Sequence, residues 1–122
     1  MKVVDASAVL AVLLDEPERT IIERLLTNER LVAPPILPFE VTNTCAMNAT
    51  RVPDGELLYA DALANFFGWE IALHNVDLVG TFVLARRYGL TAYDASYLWL
   101  SRELGLGLVT LDKALLSVVQ SS

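Results

Sequence analysis

The chain has 122 residues, a length that suits one domain (1–122) and leaves no room for two of ordinary size. Hydrophobic residues make up 54% of it, which excludes extended disorder and leaves a surplus for a subunit or partner interface. Nine basic against fifteen acidic residues give a net charge of −6, which argues against nonspecific nucleic-acid binding through a basic surface.

Lys2–Val4 is a short β-branched run and predicts the first strand. Ser7 is placed to cap a helix running to about Leu14. The apolar stretch 3–14 imitates a signal-peptide core, but Asp5 interrupts it and Asp15 and Glu16 follow with no small-residue cleavage site. Helical spacing over 18–28 puts Ile21, Ile22, Leu25 and Leu26 on one face. Leu31–Ala33 is the next strand. Pro34, Pro35 and Pro38 interrupt regular structure until a helix begins near Pro38, passes through Glu40 and ends before Pro53. A helix over 54–67 follows, capped by Asp54, with Gly68 beyond its end. Residues 70–73 form a candidate strand. A helix over 77–88 is stopped by Gly89, and one opened by Thr91 is ended by Gly105. A last strand over 108–111 leads to Asp112, which can cap a final helix. Strands separated by helices imply a parallel α/β sheet, and in such sheets the ligand crevice lies beyond the carboxyl ends of the strands. No apolar run reaches the ~18 residues that suggest a membrane span.

That rule selects carboxylates. Asp5 follows the first strand and Asp112 the last, while Glu40 and Asp94 sit in first turns of helices, so all four map to one edge. Each has an ordinary alternative: a turn for Asp5, a helix-dipole partner for Glu40, a capping box with Thr91 for Asp94, an N-cap for Asp112. Their shared edge favours function, as does the cost of placing Asp5 in an otherwise core-bound segment. Carboxylate oxygens without thiolate or imidazole suit hard Mg²⁺ or, as a substitute, Mn²⁺. The single cysteine, Cys45, excludes an intrachain disulfide, and with His74 as the only histidine a structural zinc cluster has too few ligands.

The stretches VVDASAVLAVLL (3–14), PFEVTN (38–43), GLTAYDASYLWLS (89–101) and LVTLDKAL (108–115) resemble PIN-domain nucleases, most of all the VapC-type toxins of toxin–antitoxin pairs. The resemblance implies a three-layer α/β/α fold with a short central parallel sheet of about four strands. It also implies a metal-dependent endoribonuclease that leaves a 5′-phosphate and a 3′-hydroxyl. Asp5, Glu40, Asp94 and Asp112 match the family's acidic quartet as catalytic residues and metal ligands, and Ser7 and Thr110 match its small hydroxyl positions, orienting a ligand or a phosphate oxygen. An RNA substrate, a VapB-like antitoxin and a homodimer follow as expected partners, and the cytoplasm, with no membrane association, as the expected location. The family's tail beyond Leu115 is usually longer and often adds a strand, so the sheet is expected without it.

The charge objection shrinks on counting, because the quartet accounts for −4 of the net −6. His74 has no G-x-S-x-G partner motif, Cys45 reads as buried and inert, and no nucleotide-binding glycine loop is present. Arg86 and Arg87 read as a solvated helix end, with a phosphate contact as the weaker alternative. Trp69, Trp99, Tyr93 and Tyr97 could stack on bases, but packing is the better reading for most of them. Two other functional readings compete. A receiver-like phosphoacceptor would use Asp5, Asp54 and Lys113, but Asp54 does not end an apolar strand and Ala6 stands where a second acid belongs. A catalytically inactive PIN-fold binding module is disfavoured because all four acids are present.

Overall fold

The computed structural model describes residues 1–121. In chain order the elements are β1 (Lys2–Val4), α1 (Ala6–Leu13), α2 (Arg19–Leu26), β2 (Leu31–Ala33), α3 (Leu37–Arg51), α4 (Gly55–Phe66), β3 (Ile71–Leu73), α5 (Leu78–Tyr88), α6 (Ala92–Leu104), β4 (Leu108–Val109) and α7 (Lys113–Ser121). The four strands form one parallel sheet in the order β3-β2-β1-β4, flanked by helices in a three-layer α/β/α arrangement. No fifth strand occurs among the described residues.

Burial explains the order. Val3 and Val4 are fully enclosed, as befits a strand covered on both faces, and β1 sits between β2 and β4. Val3 pairs with Val32 on one side and with Leu108 on the other. Helices α1 to α4 pack with one another, while α5 and α7 pack on α6, which itself lies against β1 and β4. The core joins Val9, Leu37, Val41, Leu98, Leu100 and Leu115 to the strands. Helix α3 begins with Pro38 in its first turn, where a missing N–H costs nothing.

Caps fix the helix starts that face the sheet edge. Asp77 accepts from the Gly80 N–H, Thr91 from Asp94 and Asp112 from Leu115. Only the Thr91 half of the expected capping box forms among the described residues. Helix α5 ends at Gly89, whose φ of 66° lies in the left-handed region that glycine enters without a Cβ clash. Two expected caps differ. Helix α1 is capped by Asp5 rather than Ser7, because the Asp5 carboxylate lies against the Ala8 N–H while the Ser7 hydroxyl turns toward β4. Asp54 occupies the N-cap of α4 but makes no side-chain bond there, since its own backbone is left-handed, with φ 59°.

Candidate active site

At the carboxyl edge of the sheet, β1 runs directly into Asp5, whose backbone N–H continues the ladder to the Val109 carbonyl at 3.2 Å. Asp5 is only 4% exposed. Its Oδ1 accepts from the Ser7 hydroxyl at 2.7 Å and the Ala8 N–H at 3.0 Å, and its Oδ2 accepts from the Thr110 hydroxyl. Those donors in turn receive bonds: Ser7 Oγ accepts from the Leu111 N–H at 2.8 Å, and Thr110 Oγ1 from the Asp112 N–H at 3.0 Å. Asp5 therefore locks the start of α1 to the segment that leaves β4. Asp112 itself caps α7, with Oδ1 3.0 Å from the Leu115 N–H.

Glu40 arrives from the first turn of α3 and Asp94 from the first turn of α6. Together with Asp5 and Asp112 they line one cavity of about 220 Å³, with Ser7 and Tyr97 in the same wall and no Lys, Arg or His. The Tyr97 phenol donates to Glu40 Oε1 at 2.6 Å. Glu40 and Asp94 are half-buried.

Electrostatics follow from this crowding. Burial pushes the Asp5 carboxyl above its ordinary value, its three donors pull it back, and the Asp112 charge adds to the rise. Glu40 is pushed up by burial, with the charges of Asp94, Asp5 and Asp112 adding and the Tyr97 hydrogen bond opposing. Asp94 rises through burial and the charges of Asp112 and Asp5. Burial also raises the Tyr97 phenol, helped by the Glu40 carboxylate it touches, so it remains a neutral donor.

The donor set is all oxygen, carries up to four negative charges and has no protein cation to balance them, which fits a hard divalent ion. Among the described residues no group of three His, Cys, Asp or Glu side chains stands close enough to hold one ion jointly. An ion here would therefore be held by one or two carboxylates and completed by water, the usual habit of Mg²⁺.

Comparison with known proteins gives the family. A sequence profile of the PIN domain matches residues 2–120. The chain belongs to the PIN-domain family. It is 33% identical to the Ribonuclease VapC3 of Pyrobaculum aerophilum, over 93% of this chain and 90% of that one. It is 36% identical to the Ribonuclease VapC9 of Mycobacterium tuberculosis, over 92% of this chain and 86% of that one. Among solved structures it resembles PAE2754 from Pyrobaculum aerophilum, with a TM-score of 0.77 and 26% identity, covering 95% of this chain and 82% of the other.

The structure of this PIN domain thus brings all four sequence-selected carboxylates to one cavity. Ser7 lines that cavity as well, whereas Thr110 is buried outside its lining, and both hydroxyls donate to Asp5 and so position that carboxylate. The receiver-like reading does not survive. Asp54 is exposed at the start of α4, and α3 carries the chain roughly 16 Å beyond Glu40 before that point. The strand order β3-β2-β1-β4 also differs from the 2-1-3-4-5 order of that class.

The remaining singled-out residues take structural places. Cys45 is buried on α3, where burial raises its thiol. His74 is exposed, and Arg86 and Arg87 are exposed in the last turn of α5. Trp69 and Trp99 pack against the core, with Trp69 6.3 Å from the Phe66 ring, whereas Tyr93 is 59% exposed. Sequence reasoning weighed Tyr97 only for stacking or packing. Its spacing of three from Asp94 on one helix was the available signal that both enter the same site.

Proposed function

We propose that this chain is a Mg²⁺-dependent endoribonuclease acting as the toxin of a VapBC-type pair in the cytoplasm. The observation that carries the reading is the convergence of Asp5, Glu40, Asp94 and Asp112 on one small cavity at the sheet's carboxyl edge. Its relatives VapC3 and VapC9 are named as ribonucleases, which supports the same chemistry. Asp5 and Asp94 would hold the metal, with Glu40 and Asp112 assisting through water. Bound Mg²⁺ supplies positive charge to a phosphoryl oxygen and lowers the pKa of coordinated water.

The protein's own part is orientation and proton traffic. Ser7, Ala8 and Thr110 fix Asp5 so that it needs no reorganisation when substrate arrives. Among the described residues Glu40 Oε2 has no protein donor, so it can take the proton of the attacking water. In the hydrolysis the water oxygen forms a bond to phosphorus, the P–O3′ bond breaks, and O3′ gains a proton. The products are a 5′-phosphate and a 3′-hydroxyl.

Two partners complete the reading. A second copy would cover the apolar face of α5, where Leu78 is 76%, Val79 72% and Phe82 62% exposed. A VapB-like antitoxin would lay an apolar helix on the surface and place an Arg or Lys in the acidic cavity, since a guanidinium can bridge two carboxylates without metal. No helix among the described residues is long and apolar enough to cross a membrane.

The test is cleavage of single-stranded RNA. EDTA should stop it, Mg²⁺ or Mn²⁺ should restore it, and Ca²⁺, with its looser and larger shell, should support little turnover. Undiminished cleavage after exhaustive chelation would overturn the mechanism. A monomer by light scattering at micromolar protein would remove the dimer.

A further inference from the structure

Tyr97 is 1% exposed and belongs to the core, yet its hydroxyl reaches the wall of the acidic cavity. It lies on α6 and its acceptor, Glu40, on α3, 57 positions away in sequence. The 2.6 Å separation is that of a charge-assisted O–H···O⁻ bond, about twice as strong as a neutral one. The phenol occupies Oε1 alone. Glu40 has no other side-chain hydrogen bond among the described residues, so Oε2 is left without a protein donor. On α6, Asp94 and Tyr97 are spaced three apart, so one helix face delivers a carboxylate and the donor that orients a second carboxylate.

We infer that Tyr97 is a positioning residue: its hydroxyl pins one oxygen of Glu40 and so presents the other to the water shell of a divalent cation in the cavity. The inference rests on the proposed metal site and goes beyond it by assigning a residue outside the acidic quartet. A buried tyrosine needs some partner for its hydroxyl wherever it sits. A purely structural bond would change stability when removed. A positioning bond changes metal affinity as well, and only while Glu40 is there to be positioned. Hydrogen-bonded partners around a metal's ligands typically contribute roughly 10–100-fold to affinity.

The experiment measures Mn²⁺ binding to the intact chain without RNA, by the loss of the free-ion electron paramagnetic resonance signal. Tyr97→Phe keeps the ring and removes only the hydroxyl. It should weaken Mn²⁺ roughly tenfold while circular dichroism shows an unchanged fold. Glu40→Asp keeps the charge but draws the carboxylate one methylene back from the phenol, and should weaken Mn²⁺ comparably. Adding Tyr97→Phe to Glu40→Asp should cause no further loss. Wild-type affinity in Tyr97→Phe, or a full further loss in the double variant, would overturn the inference and leave the metal site standing. If Tyr97→Phe fails to fold, Glu40→Asp decides, and undiminished Mn²⁺ binding there would overturn it. Absence of Mn²⁺ binding in the wild type would remove the metal reading itself, and this inference with it.

Discussion

A carboxylate as enclosed as Asp5 is costly to ionise unless the oxygens it turns inward meet donors. Asp5 has three, from Ser7, Ala8 and Thr110. Replacing Thr110 by Val keeps the shape and removes the donor to Oδ2. It should cost about 1–3 kcal/mol at neutral pH, measured as a lower urea midpoint with unchanged slope. Asp94→Asn should behave in the opposite way. It removes one like charge from the cavity, so metal-free stability should be unchanged or higher, while RNA cleavage falls to background because the amide binds Mg²⁺ poorly. Wild-type turnover by a folded Asp94→Asn variant would remove Asp94 from the mechanism. The carboxylates were legible in the sequence because strand ends and helix first turns carry fixed geometric meaning in a parallel sheet. The Ser7 and Tyr97 contacts were not, because they reach 104 and 57 positions along the chain and depend on hydroxyl directions that no local pattern encodes.

Helices deliver the site, so their packing matters to it. Helices α5 and α6 approach closely at Gly80, where an added Cβ would lie 2.5 Å from Trp99 Nε1 and 3.0 Å from Asp77 Oδ2. Alanine would gain up to roughly 1 kcal/mol from helix propensity, but crowding typically costs 1–3 kcal/mol. Gly80→Ala should therefore destabilise by about 1 kcal/mol net, read from the urea midpoint, through a clash with the indole of the helix that carries Asp94. Strands and most helix bounds were visible as short β-branched runs between glycine, proline and capping residues. What local pattern could not choose was which of two nearby oxygens caps α1. Asp5 and Ser7 both suit that place, and the choice falls to Asp5 only because Leu111, brought in by β4, claims Ser7. The need for glycine at position 80 was likewise hidden, since it arises from a second helix.

At the scale of the whole molecule the cavity couples folding to protons and, with the proposed metal site, to cations. Asp5, Glu40 and Asp94 all have folded values raised above the ordinary 3.8 for Asp and 4.5 for Glu. The folded state therefore binds more protons than the unfolded chain in the window above those ordinary values. By linkage, metal-free stability is greatest near or below the ordinary values as far as these groups are concerned, and falls as pH rises through their raised ones. Glu29 has the opposite sign, held low by the Met1 ammonium 2.6 Å away, but a single surface ion pair contributes little. A divalent ion bound at the proposed site would compete with those protons. At the proposed site Mg²⁺ would bind the ionised carboxylates of the folded chain and stabilise it by mass action, so its effect should be small at acid pH and grow toward neutrality. Thermal denaturation from pH 4 to 8, in EDTA and in millimolar MgCl₂, should give two curves that diverge as pH rises, the EDTA curve lying lower. Asp94→Asn should narrow that gap by lifting the EDTA curve and weakening the response to Mg²⁺. Parallel curves across the range would mean that the carboxylates are not linked to the cation, and would place the origin of any Mg²⁺ stabilisation elsewhere on the surface.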